Sequence, residues 1–385
     1  MRTARRYLAS EIYRSSAVVL LALLGLFTFF ALIDELDKVG TRFTLLNLFY
    51  VQALELPTRL YDLLPIGLLI GAILALASLA QRNELVILRV SGVSGLRMML
   101  MLWVITLPLV GGAFVLSEYL TPAAEIKVSE QSMALLGRSS GGRLDSGYWF
   151  KENTPNGGMR IINISQLHGS GRVSNITLYD FLEDETLSSV TQSASGVFNN
   201  HTLVLDAPTH TTLDTNAIQA LKDAHPPTEP LVTVDQQAEL EINTSLTAER
   251  LLARVLTPER MSIMDLIDYI EYLDSNKLQT KRQVVALWRK VAYPFTLLVM
   301  ITIATPIALM QTRHGGVSTK VFTGILLGVG FFMVNQLALN VAMLSDLPAW
   351  VTALMPNIGA MLLAILALLH MENRHHLRRR TSTTN

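Results

Sequence analysis

Residues Ser15 to Ile33 read SSAVVLLALLGLFTFFALI, a run of 19 residues that contains no charged side chain. A helix needs about 20 mainly apolar residues to cross the hydrocarbon core of a bilayer. The run is long for the apolar region of a signal peptide, and three acids (Asp34, Glu35 and Asp37) follow it where small cleavage-site residues would stand. We therefore predict a membrane-spanning helix that stays in the protein.

Five further runs lack charge and are dominated by Leu, Ile, Val, Ala, Phe and Met. They cover residues 63–81, 98–117, 291–312, 321–345 and 347–371. Each is about as long as a membrane span requires. The alternative, buried core helices of a large soluble protein, is improbable for six such runs in one chain. The sequence therefore predicts six transmembrane helices in two groups of three.

The composition supports this prediction. Of 385 residues, 50% are apolar and only 16% are charged, whereas soluble domains are about 25% charged. The 31 basic and 31 acidic residues cancel, which excludes nucleic-acid binding driven by bulk charge. Cysteine is absent, which excludes disulfides, thiolate metal sites and a cysteine nucleophile.

Lys and Arg near the ends of the runs predict the orientation. They concentrate in four segments: residues 1–14, 82–97, 313–320 and 372–385. Because cytoplasmic loops carry an excess of Lys and Arg, we expect these four segments on the cytoplasmic side. Both termini are then cytoplasmic, and the long segment between the third and fourth spans lies outside.

That long segment changes from continuous apolar runs to short alternating ones, which are typical of strands. The predicted strands are 148–150, 159–164, 175–181, 202–205, 231–234 and 238–242. Their spacing favours an antiparallel sandwich or jelly roll. A helical period follows, and Ser262 with Asp265 resembles a capping box at its start.

The predicted fold is thus an α-helical membrane protein with six transmembrane helices (3+3) and an inserted antiparallel β jelly-roll-like domain. We place the N-terminal half at residues 1–120. The β domain with its helical connector covers 121–288, and the C-terminal half with its basic tail covers 289–385.

Signatures of catalysis are missing from the sequence. There is no G-x-x-x-x-G-K-[ST] and no H-E-x-x-H motif. The apolar runs contain no Asp, Glu, Lys, Arg or His except His370 near the end of the last one, which argues against a self-powered secondary transporter or an intramembrane enzyme. We therefore expect no catalytic residue, bound cofactor or metal in this chain.

One connection between spans has a distinct pattern. Residues 79–92, LAQRNELVILRVSG, indicate a short amphipathic helix ended by glycine. Such a helix can lie on the bilayer surface, aided by its Arg residues. It can equally insert into a cytoplasmic motor. The residues alone leave both interpretations open.

Residues 77–92, ASLAQRNELVILRVSG, closely resemble the coupling segment of the LptF/LptG family of lipopolysaccharide-export permeases. The layout of three spans, a β domain and three spans resembles that family too. Further matching positions are Pro65, Glu118-Tyr119 with Pro122, residues 287–290 (LWRK) and Met355-Pro356. The AQRNEL form and Tyr148-Trp149 are more similar to the LptG branch than to LptF.

The resemblance implies a non-catalytic subunit of an ATP-binding-cassette transporter in the bacterial inner membrane. Its implied partners are a cytoplasmic ATPase dimer that consumes ATP, a second, LptF-like permease, and a single-span, LptC-like periplasmic bridge protein. Together they would extract lipopolysaccharide and pass it to a periplasmic bridge. The alternative is a six-span receptor or sensor with a ligand-binding β domain, but its cytoplasmic segments are too short to hold an output domain.

The resemblance also implies three sites. The ATPase-coupling residues would be Arg82, Glu84, Leu85 and Arg89. The lipid-headgroup rim would be Asp34, Lys38 and Arg42. Candidates for the cavity or gate are Phe27, Phe30, Phe331 and Phe332. The rim departs from the family, because Ala31 and Asp37 stand where other members carry Lys; we expect Arg42 to compensate.

Overall fold

The computed structural model describes residues 2–40, 43–90, 93–136, 148–154, 157–167, 171–184, 186–199, 202–213, 230–244, 257–309, 317–345 and 347–382. Its internal contacts divide the chain into two compact units. The helical unit comprises Met1–Glu125, Pro258–Ile267 and Thr280–Asn385. The β unit comprises Ile126–Thr257 and Asp268–Gln279. The residues that follow the sheet are therefore shared between the two units.

Helices account for most of the chain, and several are joined end to end. Their bounds are α1 (Arg2–Glu35), α2 (Leu45–Leu54), α3 (Leu56–Gln81), α4 (Glu84–Val90), α5 (Gly95–Val115), α6 (Thr121–Leu136), α7 (Ile263–Ser275), α8 (Lys281–Leu309), α9 (Val317–Leu344) and α10 (Ala349–Ser382). A 3-10 turn, Leu36–Lys38, extends α1, and a π-helical segment, Leu116–Leu120, joins α5 to α6. A second 3-10 turn, Pro258–Arg260, precedes α7.

Six stretches of helix are long and apolar enough to cross a membrane, within the part of the chain that the structure describes. They are Thr3–Lys38, Leu56–Gln81, Gly95–Ser129, Lys281–Ala308, Ser318–Leu344 and Ala349–Met371. The helices extend beyond the charge-free runs of the sequence. Arg59, Asp62 and Lys290 consequently lie within helices, although they stand outside those runs.

The centre of the helical unit is α3, of whose apolar window 78% is buried, against 6% for α1. Leu69, Ile73 and Leu76 on α3 are fully buried. Helix α1 crosses α3 at a glycine: a Cβ added to Gly71 would lie only 2.6 Å from the backbone nitrogen of Ser16. Small residues allow membrane helices this close approach.

We expect Gly71→Ala to destabilise the protein by about 1–3 kcal/mol, because the added methyl meets backbone that has no room to move. The control is Gly25→Ala on α1, where nothing lies within 4 Å of the added carbon. Thermal inactivation in detergent measures both. If the two variants have the same midpoint temperature of inactivation, the contact between α1 and α3 at Gly71 has room for the added methyl.

The β unit contains one antiparallel sheet with the strand order β1-β2-β3-β4-β5-β8, and β6 pairs with β4 and β7. The strands are β1 (Tyr148–Asn153), β2 (Met159–Leu167), β3 (Arg172–Phe181), β4 (Leu187–Asn199), β5 (Thr202–Asp206), β6 (Thr209–Leu213), β7 (Val232–Gln236) and β8 (Glu239–Asn243). Phe150, Ile162 and Leu178 face one another across β1, β2 and β3, and all three are buried. Six spans with an inserted antiparallel sheet confirm the predicted fold class.

The outer edge of β1 is covered by the end of α7. Asn153 donates its backbone N–H to the side-chain oxygen of Asn276 at 3.2 Å. The Tyr272 hydroxyl donates to the carbonyl of Lys151 at 3.1 Å. Exposed strand edges invite pairing with other chains, and covering them with a helix prevents it.

Candidate functional site

Within the helix predicted over residues 79–92, the structure forms the shorter α4 (Glu84–Val90), because residues 79–81 continue α3. Residues 91 and 92 lie outside the described part. Helix α4 follows α3 after only two residues, Arg82 and Asn83, and Asn83 adopts a left-handed conformation with φ +58°. Leu85 is 3% exposed and belongs to the same buried cluster as Leu8 and Ile12 of α1. Leu85 thus anchors α4 to the helical unit.

The other predicted coupling residues lie at or near the surface. Arg82 is exposed, and Glu84 is half-buried at the first position of α4. Arg89 lies in the helix, but its side chain is outside the described part. The structure therefore leaves Arg82 accessible to a partner, whereas Glu84 is partly covered by its own chain.

Two apolar residues on α4 were not predicted from the sequence as site residues. Ile87 is 66% exposed and Val90 is 79% exposed. Three residues apart, they share a face of the helix, turned away from Leu85. Their spacing was visible in the sequence, but periodicity alone does not show which apolar face stays uncovered. Among the α4 side chains that the structure describes, they are the exposed apolar ones.

The predicted headgroup residue Lys38 is already paired. Its Nζ lies 2.7 Å from Oε1 of Glu35 in the preceding turn. Oε2 of Glu35 accepts a hydrogen bond from Nε2 of Gln52 at 2.9 Å. Oε1 of Gln52 in turn accepts from Arg59, which also pairs with Glu55. We call these five residues the rim chain; it links α1, α2 and α3.

Burial differs along the rim chain. Gln52 is 2% exposed, whereas the Lys38 side chain is 47% exposed. Burial raises the pKa of Glu55 above its ordinary value; the Arg59 charge opposes this shift, and the Glu35 charge adds to it. Of the other predicted rim residues, Asp34 is exposed and Arg42 lies outside the described residues.

The four predicted cavity or gate residues fall into two classes. Phe27, Phe30 and Phe332 each expose about half of their side chain, at 50%, 55% and 50%. Phe331 instead packs against the buried cluster and lines a cavity of about 1070 Å³ between α8, α9 and α10. In a membrane, the exposed three face lipid or another chain.

A buried polar cluster lies where α5 becomes π-helical. Lys290 of α8 is 8% exposed, and its Nζ donates to the hydroxyl of Ser117 at 2.9 Å and to the Ser117 carbonyl at 3.4 Å. Next to it, Glu118 accepts the backbone N–H of Ile263 at 3.0 Å. We call Ser117, Glu118, Lys290 and Ile263 the π junction.

The π junction fixes the start of α7. The Ser262 hydroxyl accepts the N–H of Asp265 at 3.0 Å, which is the first half of the predicted capping box. The Asp265 carboxylate accepts the Ser262 hydroxyl at 2.6 Å, and Glu118 satisfies the N–H of Ile263. A carboxylate at a helix N-terminus is favourable because it meets unpaired N–H groups and the positive end of the helix dipole. Glu118 and Lys290 match a family pattern in the sequence, but that pattern alone gives them no role.

Among the described residues, no group of three or more His, Asp or Glu side chains is arranged to hold a metal ion. The polar side chains that the structure brings together instead form ion pairs and cap helices. The arrangement suits binding and mechanical coupling of helices.

Comparisons with known proteins agree with the family resemblance seen in the sequence. The profile of the family described as "Lipopolysaccharide export system permease LptF/LptG" matches residues 6–370. The permease protein LptG of Escherichia coli K12 is 25% identical over 365 residues, which cover 94% of this chain and 97% of that protein. LptG of Haemophilus influenzae is 24% identical over 359 residues, 93% of this chain and 96% of the relative. The resemblance identified from residues 77–92 is thus confirmed.

Proposed function

Because this chain belongs to the LptF/LptG family of lipopolysaccharide export permeases, we propose that it is one of two permease subunits of an ATP-binding-cassette transporter. The complex extracts lipopolysaccharide from the inner membrane and passes it to a periplasmic bridge. The second permease is LptF-like, and a single-span, LptC-like protein begins the bridge. This chain performs no catalysis, and ATP is consumed by a separate cytoplasmic ATPase dimer.

The observation that supports an external motor most directly is the geometry of α4. Leu85 anchors this short helix from within, while Ile87 and Val90 remain uncovered. An uncovered apolar pair beside the half-buried Glu84 suits a groove on another protein. In this proposal Arg82, Glu84, Leu85 and Arg89 form the coupling segment. Both termini are cytoplasmic, and the β unit is periplasmic.

Energetics supports a path in which the lipid remains covered. Withdrawing each CH₂ from a bilayer into water costs about 0.8 kcal/mol. A lipid with several long chains would therefore need several tens of kcal/mol if fully exposed. Helices α1 and α9 are the least buried spans, with 6% and 17% of their apolar windows buried. In this proposal Phe27, Phe30, Phe331 and Phe332 cover the chains, while Asp34, Lys38 and Arg42 meet the headgroup.

Purification of the tagged chain from its own membranes tests the proposal. An ATPase and a second six-span chain should copurify with it. The complex in proteoliposomes should release lipopolysaccharide to an added periplasmic acceptor only with hydrolysable ATP. Release with a non-hydrolysable analogue, or purification of the chain with no ATPase, would refute the transporter assignment. A receptor would instead show ligand binding without ATP-dependent release.

A further inference from the structure

Helix α2 is inverted compared with a surface helix of a soluble protein. Its outer face is apolar and aromatic: Leu46 is 78% exposed, Phe49 57% and Tyr50 50%. These residues stand three and four positions apart and therefore share one face of the helix. The opposite face packs against the protein and includes Gln52, which is 2% exposed. A helix in water places its apolar face inward, so the outer face of α2 belongs against an apolar partner.

The contact with α1 fixes the level of α2 relative to the membrane. Nε2 of Gln52 donates to Oε2 of Glu35 at 2.9 Å. Glu35 stands two residues after the end of the charge-free run 15–33. At about 1.5 Å per helical residue, it lies only about 3 Å beyond that run. At its other end, α2 is separated from α3 by Glu55 alone. Helix α2 therefore lies at the membrane surface, beside the ends of two spans.

We propose that α2 is an interfacial anchor, whose exposed apolar face inserts among lipid acyl chains at the membrane surface where α1 ends and α3 begins. Interfacial helices bury such a face about 5–10 Å into the boundary between headgroups and acyl chains. Tyr50 suits this location, because its ring is apolar and its hydroxyl can stay among the headgroups. The partner of this face is the lipid bilayer itself.

The face of α2 extends the exposed apolar surface of α1. At the same end of α1, Phe29 is 57% exposed, Phe30 55% and Ile33 46%. Only 6% of the apolar window of α1 is buried within the chain. One layer of lipid can cover both surfaces, because they lie at the same edge of the bilayer.

The size of the face favours lipid over a protein partner. Helix α2 has ten residues, and a helix of that length is about 15 Å long and about 10–12 Å wide, so one face offers on the order of 150–180 Å². A specific protein interface buries about 800 Å² on each partner and has a polar rim. Between Leu45 and Leu54 there is no charged residue. Lipid contact needs only apolar surface, which this face supplies.

Spin labels test the proposal, since this chain has no cysteine and each introduced one marks a single site. The full complex is labelled at Leu46→Cys, Phe49→Cys or Asp37→Cys in nanodiscs of phosphatidylethanolamine and phosphatidylglycerol. A complex with the unsubstituted chain, treated with the same label, corrects for cysteines of other chains. Collisions with oxygen, which dissolves among acyl chains, are compared with collisions with a nickel chelate, which stays in water.

We expect the ratio of oxygen to nickel collisions at Leu46 and Phe49 to be at least about fivefold higher than at Asp37, an exposed residue of the neighbouring 3-10 turn. A ratio like that of Asp37 would place the face of α2 in water. Protection from both reagents would show that a protein covers it. Either result would overturn the proposal.

A charge on the face should weaken the anchor. With the label at Phe49, Leu46→Asp is expected to lower the ratio at least about threefold, because a carboxylate resists transfer into the acyl region. The matched control is Thr44→Asp, which adds the same charge at the N-cap of α2. The Thr44 hydroxyl accepts the N–H of Asn47, and Asp caps a helix at least as well as Thr.

The control should leave the ratio unchanged, because the N-cap lies at the end of α2 and not on its apolar face. An unchanged ratio in Leu46→Asp, or an equal fall in Thr44→Asp, would overturn the anchor. These measurements use neither ATP nor lipopolysaccharide, so they do not depend on the transporter assignment.

Discussion

A complex with Ile87→Asp in this chain is expected to lose at least about 90% of its ATP-driven lipopolysaccharide release. Ile87 is 66% exposed on α4, where the proposal places the ATPase. Truncating an interface hot spot costs about 2 kcal/mol or more, and burying an unpaired charge there costs more. We expect the ATPase to copurify in reduced amount, because its groove must then bury a carboxylate.

The matched control for that variant is Leu96→Asp, which lies in the first turn of α5. Leu96 is also an exposed apolar residue, 45% exposed, and an acid near a helix N-terminus is favourable there. Glu84→Ala tests the charged start of α4 in the same assay. If the Ile87→Asp complex releases lipopolysaccharide at the wild-type rate, α4 does not face the ATPase.

Ser117→Ala is expected to destabilise the protein more than Lys290→Met does, although it removes fewer atoms. Without the Ser117 hydroxyl, the 8% exposed Lys290 loses its 2.9 Å hydrogen bond and keeps the 3.4 Å contact with the Ser117 carbonyl. Leaving a buried charged donor without a good hydrogen bond costs more than the about 1–3 kcal/mol of a neutral one. Lys290→Met removes the charge itself and leaves unpaired acceptors, at about 1–3 kcal/mol.

A double-mutant cycle makes this prediction precise. The double variant Ser117→Ala/Lys290→Met should cost clearly less than the sum of the two single variants, because either substitution alone already removes the contact between the hydroxyl and the ammonium. Unfolding free energies in detergent measure the cycle. The control is Glu259→Gln, which breaks an exposed pair with Arg282 and should cost less than about 1 kcal/mol. Additive costs for Ser117 and Lys290 would show that the hydroxyl does not stabilise the charge.

The spans were predictable because a bilayer excludes charge, so each one leaves a visible gap in the charged residues. Two strands were not predicted: β4 (LSSVTQSASGVFN) and β6 (THTTL) are rich in Ser and Thr, and their apolar alternation is weak. Sheet pairing with neighbouring strands decides their conformation, and a single-strand pattern does not contain that information.

The sites were predictable only in part, for a related reason. Lys38 was identified from its place after the first span, but its pairing with Glu35 is held by Gln52, a contact between α1 and α2. The Gly71 crossing and the uncovered face at Ile87 likewise depend on how helices pack. Such contacts join distant parts of the chain, and the spacing of residues within one segment does not report them.

The joint between α3 and α4 limits how the transporter can move. Both joint residues are held by backbone hydrogen bonds: the Arg82 N–H bonds to the Ser78 carbonyl at 3.1 Å, and the Asn83 N–H bonds to the Ala80 carbonyl at 3.1 Å. The Asn83 carbonyl in turn accepts the Ile87 N–H at 3.2 Å. Two residues, even fully extended, span only about 7 Å. This tether is too short for α4 to travel farther than that from the end of α3. A larger displacement of α4 therefore requires α3 to tilt. Helix α1 then pivots against α3 at the close contact between Ser16 and Gly71.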